Sequence, residues 1–289
     1  MEEIRILTEV PTEVIHNAFV EAFSDYQVKM DLPLKRFEGM QRRRGFDGEF
    51  SIGCFHEGRL VGFILNGCRE YNNRKTVYDM GTGVIGAYRK KGITTSLFQV
   101  IKKVIKEKGV EVYLLEVLQE NTPAVELYKK SGFVTTRNFR CFKRDKDQGK
   151  VFPSQDLKDG YKIREMEMTK ETLELCSLFW DFNPSWQNSI ESVIADKNSF
   201  KGIFVSFNDK IIAYGIVDKT TGDIPQLSVD RGYRGNGLGK FLLRELEKAT
   251  ASDKLSILNV QEGAGNMEDF LMKNNFVNYV DQYEMILEI

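Results

Sequence analysis

The chain has 289 residues, more than one domain of common size holds, so two domains of ordinary length are expected. Its 41 basic and 42 acidic side chains leave a net charge of −1, which excludes long-range attraction to nucleic acid or anionic lipid and makes any anion site a local one. No run approaches the roughly 18 apolar residues of a membrane span, and the start, MEEIRILTEV, lacks the basic region and apolar core of a secretory signal, so a soluble protein of the cytoplasm is expected.

In chain order, IRILTEV reads as a short strand. Val14, Ile15, Ala18, Phe19, Ala22 and Phe23 then recur at helical spacing. SIGCF and LVGFIL flank HEGR as a hairpin, and TVYDMGTGVI, residues 76–85, reads as the strand that runs into RKKGIT. Leu97, Ile101, Val104 and Ile105 continue as an amphipathic helix up to Gly109, and EVYLLEVL returns to strand. RDKDQGKVFPSQDLKDG, residues 144–160, is polar, carries Gly and Pro and has no apolar period. The order then repeats: YKIREME, a helix around TKETLELCSLFW, GIFVSF and IIAYGIV, then IPQLSV. RGNGLG follows, then a helix on Leu238, Phe241, Leu242 and Ala249, and the strand LSILNV. The expected domains are 1–146 and 161–289, joined by a linker over 147–160.

A strand feeding a glycine-bearing turn that opens a helix presents unbonded backbone N–H groups at the positive end of the helix dipole, an arrangement suited to phosphate. One such turn is equally well explained as a tight connection with no ligand. Two, each with Arg at the first place and Gly at the fourth, favour an anion site. The Lys at 240 is followed by Phe241, and Arg234 stands where a Walker loop needs Gly, so that phosphate motif fails. Lys240 also breaks a dinucleotide GxGxxG. Cys54, Cys68, Cys141 and Cys176 are scattered and His16 and His56 stand alone, so neither a metal site, a disulfide framework nor a histidine triad is signalled.

These turns resemble the cofactor signature [Q/R]xxGx[G/A] of the GNAT superfamily of N-acyltransferases. Arg234, Gly235, Asn236, Gly237, Leu238 and Gly239 match in full. Arg89, Lys90, Lys91, Gly92, Ile93 and Thr94 match except at the last place, where the Thr side chain is expected to crowd a diphosphate. NTPAVELYKKSGF, residues 121–133, is similar to the family's second motif, with Thr122 expected as helix N-cap. In the second copy the matching segment puts Leu271 at the place of Tyr128 and Ala264 at that of Asn121.

The resemblance implies two tandem α/β folds, each a mixed, mostly antiparallel sheet flanked by helices with splayed fourth and fifth strands. It implies acetyl-CoA as cofactor, held by the two turns, by Asn121 and by backbone at Val84, Ile85, Gly86 and Val229. It also implies direct attack of a primary amine, from a small molecule or a peptide, on the thioester. The departing thiolate, with a conjugate acid near about 8.5, takes a proton from a phenol of about 10, and Tyr128 is the expected donor. Asp79 and Glu116 are the carboxylates eligible to receive the amine's proton. A non-catalytic acyl-CoA-binding or regulatory module is the alternative, and the fold leaves a sheet edge able to pair with another chain. The basic run QRRRG, residues 41–45, reads as a solvated helix end, and Trp180, Phe182 and Trp186 read as core aromatics that border an acceptor pocket at most.

Overall fold

The computed structural model describes residues 2–25, 32–146, 157, 160–164 and 166–289. The expected linker over 147–160 lies outside the described residues apart from Leu157 and Gly160. The elements of the first copy are β1 (Glu2–Ile6), α1 (Thr12–Ala22), α2 (Leu34–Arg44), β2 (Ile52–His56), β3 (Arg59–Tyr71), β4 (Arg74–Val84), α3 (Ile93–Glu107), β5 (Val112–Leu118), α4 (Thr122–Lys130) and β6 (Val134–Asp145). The second copy continues with β7 (Tyr161–Arg164), α5 (Lys170–Ser177), α6 (Ile190–Ala195), β8 (Phe200–Phe207), β9 (Lys210–Asp218), β10 (Gln226–Val229), α7 (Leu238–Lys248), β11 (Lys254–Gln261), α8 (Met267–Lys273) and β12 (Val277–Glu288). Among the described residues no helix is long and apolar enough to cross a membrane.

The chain divides into two compact units: Met1–Val117, Asn121–Thr136 and Glu284–Ile289 form the first, Leu118–Glu120 and Arg137–Tyr283 the second. The end of β12 therefore belongs to the first unit, and most of β6 to the second, where it pairs antiparallel with β11.

In the first unit β1, β2, β3 and β4 form antiparallel neighbours and β5 lies parallel to β4. Both α1 and α3 pack on β3. Their apolar stripes, Ile15 and Phe19 on one and Leu97 and Ile101 on the other, are fully buried, each such side chain contributing about 1.5–3 kcal/mol. In the second unit β10, β9, β8 and β7 form an antiparallel sheet in that order. It is covered on both faces: Val205, Ala213 and Val217 meet Leu238, Leu242 and Leu246 of α7. Phe204, Tyr214 and Ile216, the residues of opposite parity, meet Leu173 and Cys176 of α5 and Val193 of α6. Burial of both faces explains why IIAYGIV is a continuous apolar run rather than an alternating one.

Candidate active site and anion turns

Each glycine turn has the same backbone. Gly92 (φ 81°) and Gly237 (φ 82°) are left-handed N-caps of α3 and α7, and neither helix start has a side-chain cap, which leaves its first N–H donors to an outside acceptor. The second position of each turn is left-handed as well: Gly235 at φ 76° and Lys90 at φ 60°. The first copy thus holds a lysine where the second has glycine, at an expected cost of about 1 kcal/mol. Ideal Cβ atoms built on Gly86, Gly92 and Gly235 meet nothing within 4 Å, so backbone at all three is open to a ligand.

The two turn arginines behave alike, each bonded to the end of the strand before it. Arg89 donates Nε to the Val84 carbonyl (3.0 Å), Nη2 to the Ala22 carbonyl (2.7 Å), and both terminal nitrogens to Asp25 (2.5 and 2.8 Å). Arg234 donates Nε to the Val229 carbonyl (2.9 Å), Nη2 to the Phe179 carbonyl (2.9 Å) and Nη1 to Asp181 (2.9 and 3.1 Å). Other residues of the turns are structural in part. Ile85, Ile93 and Leu238 are buried, the Lys91 ammonium sits 4.8 Å from the Tyr88 ring centroid, and Asn236 donates to the Tyr233 carbonyl at 3.1 Å. The place that holds half-buried Thr94 in the first copy is Gly239 in the second, where a Cβ would come within 2.9 Å of the Phe270 ring. The residue of the first copy corresponding to Phe270 is the smaller Leu127. Glycine at the sixth place of the second turn thus answers to an aromatic on α8.

Beyond the first turn lies the splay. The parallel pairing of β4 with β5 runs from Thr76 opposite Val112 to Asp79 opposite Leu115 and stops, while β4 continues to Val84. Next to the last pair, Met80 is an extra residue against β3, a bulge whose carbonyl accepts from Arg44 Nη1 at 3.1 Å. Asp79 sits at this mouth. Its Oδ1 accepts from the Gly81 N–H (2.9 Å), and its Oδ2 from Thr82 Oγ1 (2.7 Å) and Tyr128 Oη (3.4 Å). Burial pushes the Asp79 carboxyl up to about 6, the bonds from Thr82, Gly81 and Tyr128 and the charge of Arg44 opposing the rise. Tyr128 is itself buried, edge-on to Phe98 and Phe133. Glu116, on β5, accepts from Tyr78 Oη at 3.1 Å, and burial raises that phenol well above its ordinary range. Of the expected trio, Tyr128 and Asp79 are joined by a hydrogen bond at the end of the β4/β5 pairing, and Glu116, one residue past Asp79's partner Leu115, is joined to Tyr78.

Asn121, and not Thr122, is the N-cap of α4, its Oδ1 accepting the Ala124 N–H at 3.3 Å: the Asn carbonyl reaches the N–H three residues on. Arg44, in the run read as a solvated helix end, instead reaches the bulge beside Asp79; no feature of the sequence ties it to β4. Trp186 is core, as expected, whereas Trp180 and Phe182 border a small cavity of about 50 Å³ in the second unit, between β10 and β11. The segment before β10 is joined to β11 by a parallel bridge, Asp223 to Ser256, with Ile224 N–H donating to the Ser256 carbonyl at 2.8 Å and Ser256 N–H to the Gly222 carbonyl at 3.0 Å, while β10 and β11 themselves belong to different sheets, so these strands part as well.

Counting back from the turn arginine and from the aromatic after α4 or α8 gives the second copy's counterparts of the trio. Asp79 becomes Ile224, Glu116 becomes Asn259 and Tyr128 becomes Leu271, and all three replacements are buried. Asn259 is tied to Ser185 at 3.0 Å. The second turn nevertheless opens on a cavity of about 370 Å³, within the range of small-molecule sites, walled by Gly235, Gly237, Met267 and Phe270 and bordered by Lys240 and by the bonded pair Arg234 and Asp181. An uncapped helix start, exposed glycine backbone and an apolar wall fit the diphosphate and the thioester arm of an acyl carrier. In the first copy the open backbone of Gly86 and Gly92 fits the same group.

The sequence pattern of the Acetyltransferase (GNAT) family matches residues 13–133 and again 168–271. An N-alpha-acetyltransferase of Sulfurisphaera tokodaii is 35% identical over 99 residues, 31% of this chain and 59% of that protein. N-alpha-acetyltransferase 30 of Schizosaccharomyces pombe is 30% identical over 88 residues, 29% of this chain and 57% of its own length. The chain thus spans somewhat over half the length of these curated relatives. Among solved structures, a tandem GNAT protein from the clavulanic acid biosynthesis pathway superposes with a TM-score of 0.75 over 100% of this chain and 98% of its own, at 16% identity. A GCN5-related N-acetyltransferase from Sphaerobacter thermophilus gives 0.74 over 99% and 95%, also at 16% identity. Two matched regions on two copies of one fold make this chain a tandem member of the GNAT acetyltransferase family.

Proposed function

We propose that the chain is an acetyl-CoA-dependent N-acetyltransferase of the cytoplasm whose first copy performs the chemistry and whose second copy binds the carrier without turning it over. The observation that carries this reading is the Tyr128–Asp79 pair at the mouth of the β4/β5 splay, set against Ile224, Asn259 and Leu271 in the second copy. The thioester supplies an activated acyl group for direct attack by an amine. Uncapped N–H groups after Gly92 bind its diphosphate, and backbone from Val84 to Gly86 orients the arm. Asp79, mostly ionised at neutral pH with its pKa near about 6, receives the proton of the attacking amine. The ammonium first loses one proton to water; Tyr128 then gives its proton to the leaving thiolate and is restored through its hydrogen bond to Asp79, which holds the second proton of the nitrogen, so the count closes with no covalent enzyme species. Glu116, bonded to Tyr78, supports the negative potential that attracts an ammonium group. Since the curated relatives are N-alpha-acetyltransferases, a peptide α-amine is the first acceptor to try, with small primary amines beside it.

Thiol release from acetyl-CoA over a panel of peptides and small amines tests the proposal. Acceptor-dependent release that Tyr128→Phe lowers while coenzyme A affinity holds is the expected result. Tight binding with no acceptor-dependent release would instead support the non-catalytic reading, which Ile224, Asn259 and Leu271 in place of the trio favour for the second half.

A further inference from the structure

We infer that the first residue of each glycine turn is a positioning residue and not a phosphate ligand: its guanidinium, locked to an aspartate, holds the turn to the end of the first helical segment of its unit. The two copies repeat one bonding scheme with different residues around it. In each, Nε bonds the carbonyl of the strand's last residue, Val84 or Val229, and Nη2 bonds a carbonyl at or just past the end of the first helix, Ala22 or Phe179. An aspartate, Asp25 or Asp181, then takes the outward edge of the guanidinium. Arg89 thereby commits four of its five N–H donors within the protein. A guanidinium so neutralised adds little net charge for an incoming diphosphate, but a planar fork engaging three partners at once fixes where the strand ends and how the following N–H groups point. That the aspartate stands three residues after Ala22 in one copy and two after Phe179 in the other shows the bonding scheme kept while the spacing changes.

Asp25→Asn and Asp181→Asn separate this role from direct contact. The full chain is titrated with coenzyme A, and amide hydrogen exchange over 84–96 and 229–241 gives each turn its own dissociation constant. If the arginine touched the diphosphate, removing a neighbouring negative charge and releasing donors would tighten binding. The latch predicts the opposite: about three- to tenfold weaker binding at the altered turn only, consistent with the loss of one bidentate surface pair. Asp25→Glu restores most of the affinity, and Arg89→Lys with Asp25→Asn is no weaker than the worse single variant. The affinity readout rests on the proposed carrier binding; the exchange readout without ligand does not. There, Asp25→Asn is expected to speed exchange at 84–94, with 229–241 unchanged. Tighter binding, additive losses or unaltered exchange overturns the latch, whereas a wild-type chain that takes up no coenzyme A while the exchange difference holds overturns only the proposed function.

Discussion

Replacing Asp79 by asparagine is expected to stabilise the chain at neutral pH while removing the proton acceptor. An unfolded aspartate ionises near 3.8, and burial lifts the folded group to about 6. The folded chain holds this proton more tightly than the unfolded one, so unfolding becomes easier as pH climbs from about 4 to about 6. At pH 7 the whole cost is present, about 3 kcal/mol for a shift of about two units. Asparagine keeps an oxygen for the Gly81 N–H and offers an NH2 to Thr82 Oγ1 and Tyr128 Oη, hydroxyls that accept as readily as they donate. The neutral variant sheds the burial cost and keeps its partners. Denaturant unfolding should therefore place Asp79→Asn about 1–3 kcal/mol above wild type at pH 7, with the gap closing near pH 4. A variant less stable than wild type at pH 7, or a gap of equal size at pH 4 and pH 8, refutes the reasoning.

Tyr128→Phe removes one of the bonds that hold the Asp79 pKa down, so the acid limb of the pH–rate profile should move upward while kcat falls about 10²- to 10⁴-fold. A profile that keeps its limb and its plateau separates Tyr128 from Asp79. Lys90→Gly relieves a left-handed lysine and should raise stability by about 0.5–1 kcal/mol without weakening coenzyme A binding, measured by thermal melting and titration. Gly239→Thr should destabilise the second unit by about 1–3 kcal/mol through contact with Phe270, and Phe270→Leu should recover much of that loss, as the Thr94 and Leu127 pair of the first copy indicates.

The duplication, the strand and helix order and both turns are legible in the sequence because each is local: apolar periods of two and 3.6, and glycines at fixed offsets. What joins distant segments is not. The pairing of β6 with β11, and the grouping of the last residues of β12 with the first unit, depend on partners far along the chain; a lone antiparallel strand reads the same whichever partner it takes. The motif locates Arg89 and Arg234 but says nothing of side-chain direction, and Asp25 and Asp181 carry no signature of their own. The Tyr128–Asp79 bond spans 49 residues and lies beside the bulge at Met80, which no alternation pattern announces. The departure at Thr94 becomes intelligible only when the facing residue of the next helix, Phe270 or Leu127, is compared between the copies.

Acceptor-dependent thiol release by Gly92→Ala and Gly237→Ala, measured side by side, tests the central claim most directly. Each substitution forces a Cβ into a left-handed N-cap, φ 81° or 82°, at a cost of about 1–2 kcal/mol to its own turn. The account predicts that release falls with Gly92→Ala at subsaturating acetyl-CoA and is retained with Gly237→Ala. Loss of release with Gly237→Ala alone would place the chemistry in the second copy and contradict it.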